Sequence, residues 1–248
     1  EAHCHPLNYA LGIAKAAILA GAKIFENSPA LSYKINDDHV KVITKDGSIK
    51  ADRVVLACNG YLGNLEKSLT SKILPMNNYI VATEALDDQT VKKINPRDIA
   101  FADSRFVINY FRLSADKRLL FGGGENYSQE LSNNIIPIVT KPLEKIYPFL
   151  KGVKIDYAWG GKLAITMNRL PFFTTLHQDK IISAQGYSGQ GVALASYSGK
   201  LVSEKITGNG ETFDIMAKIP RQSFPGGRFL RNPSMKLGML YYSLMDRL

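Results

Sequence analysis

The seven residues Gly186-Tyr187-Ser188-Gly189-Gln190-Gly191-Val192 carry the plainest chemical signal in this chain. Three glycines among six residues strip a turn of Cβ atoms, so a flat ligand can lie against the backbone and take hydrogen bonds from its N–H groups. The turn stands between an apolar run, Lys180 to Ala184, and a small-residue helical pattern from Ala193 to Ile206. Strand, glycine turn and helix start, in that order, present unpaired N–H groups at the positive end of a helix dipole. An electron-rich ring or an anion suits such a place.

Other residues invite chemistry on weaker grounds. His3-Cys4-His5 offers good zinc ligands, but three adjacent residues cannot all face one ion and no second Cys or His pair follows at ligand spacing, so no metal is expected. Ser188 sits in G-Y-S-G-Q-G and not in a G-x-S-x-G elbow, and His39 and His177 lie in polar turn-like stretches, which argues against a Ser-His-Asp hydrolase. No His or paired carboxylate lies beside the glycine turn or beside Trp159-Gly160-Gly161, so no side-chain catalytic acid or base is assigned. Gly122-Gly123-Gly124 follows a strand-like run but leads into Glu125-Asn126-Tyr127-Ser128 without an opening helix, a poor phosphate cradle.

The elements that must position the turn can be read from periodicity and punctuation. Leu7, Leu11, Ala14 and Ile18 share one helical face, and Gly21 stands where a helix would end. A short strand is expected at Lys23 to Phe25, then a meander from Ala30 to Ile35 and Val40 to Thr44, closed by the turn pair Asp46-Gly47. Arg53 to Ala57 reads as a parallel strand buried on both faces, ending in Asn59-Gly60. Strand-like stretches at Asn78 to Ala82, Phe106 to Leu113 and Arg118 to Gly122 mark a separate sheet domain, followed by helix between Asn133 and Leu150. The α/β pattern then returns. The fold class is therefore α/β with α+β elements, a discontinuous α/β domain (1–73 and 151–212) interrupted by an antiparallel-sheet domain (74–150). Residues 213–248 form a tail, where Asn232-Pro233 caps a helix bearing Leu237, Leu240, Leu244 and Leu248. That helix docks on the parent domain or, through its basic flank Arg228, Arg231 and Lys236, meets a partner or membrane.

Composition excludes several partners. At 248 residues and 45% apolar content the chain can bury a large core in one or two domains. The net charge of +9 comes from 31 Lys and Arg spread along the chain without a basic block, so no nucleic-acid partner is expected. The longest apolar stretch, Leu7 to Ala22, is broken by Lys15 and too short to span a bilayer, so neither a transmembrane helix nor a membrane partner is expected. Two cysteines are too few for a disulfide framework and agree with a cytoplasmic setting.

Taken in order, His5-Pro6-Leu7, Gly21-Ala22-Lys23-Ile24, Ala51 to Tyr61, Trp159-Gly160-Gly161, Arg169-Leu170-Pro171 and the glycine turn resemble the D-amino-acid-oxidase-type FAD-dependent oxidoreductases. Arg105-Phe106, Tyr110-Phe111-Arg112, Leu119 to Gly123 and Phe224 to Arg228 resemble gamma-glutamylputrescine oxidases within that group. The likeness runs over essentially the whole chain, but the family's opening G-x-G-x-x-G unit does not occur, so the sequence corresponds to a C-terminal portion. The resemblance implies an FAD partly framed by backbone at Ala30 and Leu31 near the adenine. Ala57, Cys58, Asn59 and Gly60 would lie near the ribose and pyrophosphate. Gly186, Tyr187, Ser188, Gly189, Gln190, Gly191 and Val192 would lie along the pyrimidine edge of the flavin. It implies a small-molecule amine substrate touched by Tyr110, Arg112, Trp159 and Tyr187, with molecular oxygen or another acceptor, and leaves Lys162 as a candidate aid to oxygen reduction. Two readings stay open at this point: a flavin amine oxidase, or a remnant that folds without holding flavin alone.

Overall fold

His5 and Pro6 start the first helix, α1 (Pro6–Leu19): His5 Nδ1 accepts the Asn8 N–H at 3.3 Å, and proline needs no N–H partner in the first turn. Gly21, at φ 93°, ends it, with Gly21 N–H on Ile18 O at 2.9 Å and Ala22 N–H on Ala17 O at 3.0 Å, the paired closure that a left-handed glycine permits. The computed structural model describes every residue except 1–2, 106–107, 127–129, 228–229, 231–232, 234–236 and 239–248. It falls into two compact units, one built on Pro75–Lys162 and the other on Cys4–Leu74 with Leu163–Arg228. The unit built on Pro75–Lys162 runs on past residue 150 before the chain returns to the other.

In the α/β unit the meander forms as expected, β1 (Ser32–Ile35), β2 (Val40–Ile43) and β3 (Ser48–Ala51) pairing antiparallel in chain order. The strand expected at Lys23 to Phe25 is absent: Ile24 and Phe25 are 51% and 64% exposed and lie in no strand. Three extended residues without a neighbouring strand have no ladder to join, and none of the described strands pairs with them. No residue of α1 is buried either. β4 (Val54–Leu56) runs into a short 3-10 turn at Asn59–Tyr61, and α2 (Lys67–Thr70) follows, capped by Glu66, whose Oε1 accepts the Ser68 N–H at 2.8 Å. Tyr33 also donates its hydroxyl to Glu66.

The chain then builds the sheet unit: β5 (Leu74–Ala85), α3 (Asp88–Ile94), β6 (Phe101–Ala102), β7 (Tyr110–Leu113), β8 (Arg118–Asn126), α4 (Ile136–Ile146) and β9 (Ile155–Ile165). The strands stand in the order β6-β7-β8-β5-β9. One face carries Tyr79, Val81, Leu113, Leu119 and Phe121, which pack with Ile94 of α3 and with Val139 and Leu143 of α4 into a buried cluster. Alternate residues of each strand supply it, as a sheet covered on one face requires. Phe101, Phe111 and Phe121 stack across three neighbouring strands with ring centroids 5.3 Å apart at each step.

After β9 the α/β unit resumes with β10 (Phe172–Leu176), β11 (Ile181–Gln185), α5 (Gly191–Ile206) and α6 (Glu211–Lys218). β11 is the centre of a three-stranded sheet, antiparallel to β10 and parallel to β4, and all five of its residues are buried. One face packs Leu56, Phe172 and Ile181 against Val40, Leu62, Leu69, Ile73 and Ala164. The other packs Phe173, Ile182 and Ala184 against Leu201 and Val202 of α5 and Phe213 of α6. The double burial expected of β4 belongs to β11 instead. β4 is the edge strand, and Val55 on its helix-side face is 39% exposed because α5 and α6 lie over β11 and β10. Phe213, expected in a tail, is fully buried in this core. Most of the expected tail helix falls outside the described residues.

Candidate functional site

Because β4 and β11 run parallel, with Val54 opposite Ile181 and Leu56 opposite Ser183, the segments that follow them leave the same end of the sheet. Open α/β sheets bind ligands outside the carboxyl ends of such strands. Ala57 to Gly60 and Gly186 to Val192 meet there: the Gly186 N–H donates to Asn59 Oδ1 at 3.1 Å, and Asn59 itself takes φ 47°. Gly186, Ser188 and Gly189 have φ of 78°, 52° and 95°, after which α5 begins at Gly191. Gln190 makes no side-chain cap and no acidic residue lies in the first turn, so the N–H groups at the head of α5 keep their donor capacity.

The glycines of this turn have different uses. A Cβ at Gly189 would meet no atom within 4 Å, whereas one at Gly186 would stand 2.7 Å from Thr166 Cγ2. Gly186 is therefore small to fit the protein, and Gly189 leaves the backbone open to approach from outside. Gly189, Gln190 and Val192 are exposed. Ser188 is turned to the fold, its N–H on Ala164 O at 2.9 Å and its Oγ accepting the Thr166 N–H at 3.2 Å. Tyr187 is 8% exposed and donates its hydroxyl to Ala184 O at 3.0 Å, and burial pushes its phenol above the ordinary range. Burial also raises the Cys58 thiol, which keeps it protonated at neutral pH. Ala30 and Leu31 lie at the entry to β1, where the Leu31 N–H donates to Ile43 O at 2.8 Å and the Leu31 side chain is exposed.

The remaining sequence candidates lie in the sheet unit. Tyr110 and Arg112 alternate with core-facing Phe111 and Leu113 on β7, so both project from the face opposite the core. The Tyr110 ring lies across β8 at Gly122, where a Cβ would stand 2.1 Å from its Cζ, and its hydroxyl donates to Asn78 Oδ1. Arg112 donates from Nη1 to Leu113 O at 3.1 Å. Gly160 faces the core, 2.6 Å from its ideal Cβ to Tyr79 Cδ1, which turns neighbouring Trp159, 43% exposed, to the same side as Tyr110 and Arg112. Those three therefore share one sheet face, and Tyr187 belongs to the other unit. Lys162 is half-buried at the end of the sheet unit.

Two residues escaped sequence reading. Asn78 orients Tyr110, and Thr166 clamps Ser188, from 32 and 22 positions away along the chain. Neither has a local pattern that announces it. Conversely, His3 and His5 are engaged by the fold, His3 Nε2 lying 3.0 Å from Asp98 O and His5 capping α1, and no group of three metal-ligating side chains occurs among the described residues.

Residues 1–205 match the DAO family, FAD dependent oxidoreductase. The chain belongs to this family. It is 40% identical over 99% of its length to the probable oxidoreductase OrdL of Rhizobium meliloti (strain 1021), and 39% identical over 99% of its length to gamma-glutamylputrescine oxidoreductase of Escherichia coli (strain K12). It spans 56% and 58% of those two proteins. Among solved structures, glycine oxidase from Bacillus cereus ATCC 14579 superposes with a TM-score of 0.68 at 19% identity, over 86% of this chain and 58% of that one. L-proline dehydrogenase from P. horikoshii gives 0.65 at 23% identity, over 82% and 55%. Both likenesses speak for the fold. The family's cofactor is FAD, and the residues present fit a flavin where the uncapped head of α5 and the open backbone at Gly189 coincide.

Proposed function

We propose that this chain forms part of an FAD-dependent amine oxidoreductase acting on gamma-glutamylputrescine or a related amine. The observation that carries the reading is the meeting of Asn59 with the glycine turn beside the uncapped head of α5, in a chain that shares 39% identity with a gamma-glutamylputrescine oxidoreductase. When bound, FAD supplies a two-electron acceptor for hydride from the carbon beside the amine nitrogen, after which water hydrolyses the imine and molecular oxygen or another acceptor takes the electrons.

The chain's own groups bind and orient. N–H groups of Gly189, Gly191 and Val192 would stabilise negative charge that gathers on the pyrimidine edge during reduction. Ala57 to Gly60 would leave room for the ribose and pyrophosphate, and backbone at Ala30 and Leu31 would frame the adenine. Arg112 would hold the substrate carboxylate, and Tyr110 and Trp159, on the same sheet face, would pack against its aliphatic part. Tyr187, its hydroxyl turned to Ala184, would brace the turn by packing more than by touching substrate. Such oxidation needs orientation and a dry site more than a side-chain base, because the amine only has to lose its ammonium proton. Two free cysteines, Cys4 and Cys58, agree with a cytoplasmic setting.

Stopped-flow flavin bleaching in the full-length protein tests the reading with gamma-glutamylputrescine, glycine and L-proline side by side. Rapid bleaching by the first, with a rate that rises as its ammonium group deprotonates, supports it. Bleaching by glycine or proline alone moves the substrate elsewhere in the family, and no bleaching by any amine rejects the reaction.

A further inference from the structure

Ser188 holds a left-handed backbone at φ 52° without being glycine. A residue stays in that region only where its surroundings force it. The force here comes from the end of β9 and the residue that follows it. The Ser188 N–H donates to Ala164 O at 2.9 Å, and its Oγ accepts the Thr166 N–H at 3.2 Å and lies 3.3 Å from Thr166 Oγ1. Thr166 is 2% exposed and donates its own hydroxyl to Leu170 O at 2.8 Å, which leaves the Ser188 hydroxyl as donor in the contact between the two oxygens. Its methyl fills the space that a side chain at Gly186 would need. One buried threonine thus grips the turn at both Gly186 and Ser188, while its carbonyl accepts the Arg169 N–H at 3.2 Å and closes a turn of its own.

We propose that Thr166 is a positioning residue for the cofactor turn. It acts through Ser188, holding the left-handed stretch that aims the N–H groups of Gly189, Gly191 and Val192 outward, while the Gln190 N–H closes the turn on Tyr187 O at 3.0 Å, and it does not contact the cofactor. The proposal rests on the flavin reading above. It separates the two halves of the threonine side chain: the hydroxyl holds the turn's shape, and the methyl sets the need for glycine at 186.

Thr166→Val keeps the volume and removes the hydroxyl, Thr166→Ser keeps the hydroxyl, and Ser188→Ala removes the contact between the two hydroxyls together with the bond from the Thr166 N–H. Hydrogen exchange of the flavin-free full-length protein should rise about tenfold at residues 188–191 in Thr166→Val and Ser188→Ala, with β11 and the body of α5 unchanged. The FAD dissociation constant, read by fluorescence quenching, should rise about tenfold in the same two variants, and the visible circular dichroism of bound flavin should change. Thr166→Ser should stay within about twofold of the parent on all three readouts. Parent-like exchange and affinity in Thr166→Val overturn the positioning role. So does a lowered unfolding temperature without the local change in exchange, or a Thr166→Ser variant as impaired as Thr166→Val. Failure of the unsubstituted protein to bind FAD overturns the flavin reading and the role with it, whereas undiminished binding in Thr166→Val overturns the role alone.

Discussion

Two glycine-rich stretches, Gly122-Gly123-Gly124 and Gly186 to Gly191, look alike as text and are used in opposite senses. In the first, glycine lies inside β8 and the missing Cβ is replaced by the protein's own Tyr110 ring, 2.1 Å from where it would stand. In the second, the turn follows β11, and at Gly189 the space beyond the backbone holds no protein atom within 4 Å. A glycine whose Cβ space is filled serves packing. One whose space is empty, beside an uncapped helix head, leaves the backbone open to approach from outside the chain, as the proposed flavin site requires. Gly186 shows that the two uses can alternate within a few residues, since Thr166 fills its space while Gly189 stays open.

The sharpest break of this comparison is Gly122→Val, which drives a branched side chain into the Tyr110 ring. It should destabilise the sheet unit by about 3 kcal/mol in denaturant unfolding and free Tyr110 from Asn78. Gly186→Ala meets both the Thr166 methyl and a left-handed backbone, and should cost about 2 kcal/mol by the same measurement. Arg112→Ala leaves both glycine stretches intact and tests the substrate contact proposed on the sheet unit. Stopped-flow reduction should show the apparent substrate dissociation constant rising about tenfold, with the limiting rate of flavin reduction falling less. Loss of reduction at saturating substrate with unchanged affinity would give Arg112 a different role.

The smallest effect concerns Glu66. Burial favours its protonated form, but hydrogen bonds from the Ser68 side chain, from Tyr33 and from the Ser68 backbone outweigh that and hold its carboxyl below the ordinary range. Burial and the same carboxylate push the Tyr33 phenol up. A lowered pKa in the folded state means that the unfolded chain takes the proton more readily, so this stabilisation is complete above the ordinary value near pH ~4.3 and is lost as pH falls through the depressed one. Glu66→Gln should flatten that acid limb of stability, by about 1 kcal/mol or less for a half-buried group whose hydrogen bonds are partly screened by solvent.

Elements with a period and a stop signal were legible in the sequence: α1 between His5-Pro6 and Gly21, the meander closed by Asp46-Gly47, and the strand, turn and helix around the glycine site. Periodicity reports that an apolar face exists and not what covers it. Ile24 and Phe25 therefore read as a strand although no described strand pairs with them, and Val55 read as buried although its strand is at the sheet edge. Candidate site residues that would act through backbone could be picked out because glycine marks them. Thr166 and Asn78 were not, because a hydrogen bond between distant positions leaves no local spacing to detect.

The open backbone at Gly189 is the proposed place of the flavin, and Gly208 offers a matched control. Gly208 has φ 93° against 95° at Gly189, and a Cβ there would also meet nothing within 4 Å, but it lies beyond the other end of α5. Valine at either position meets the same backbone strain in the same empty space. FAD occupancy of the full-length protein, measured by absorbance after desalting, should fall severalfold in Gly189→Val and remain at the parent's value in Gly208→Val, with similar losses of unfolding temperature in both. Equal flavin content in the two variants would contradict the assignment and leave the turn a structural one.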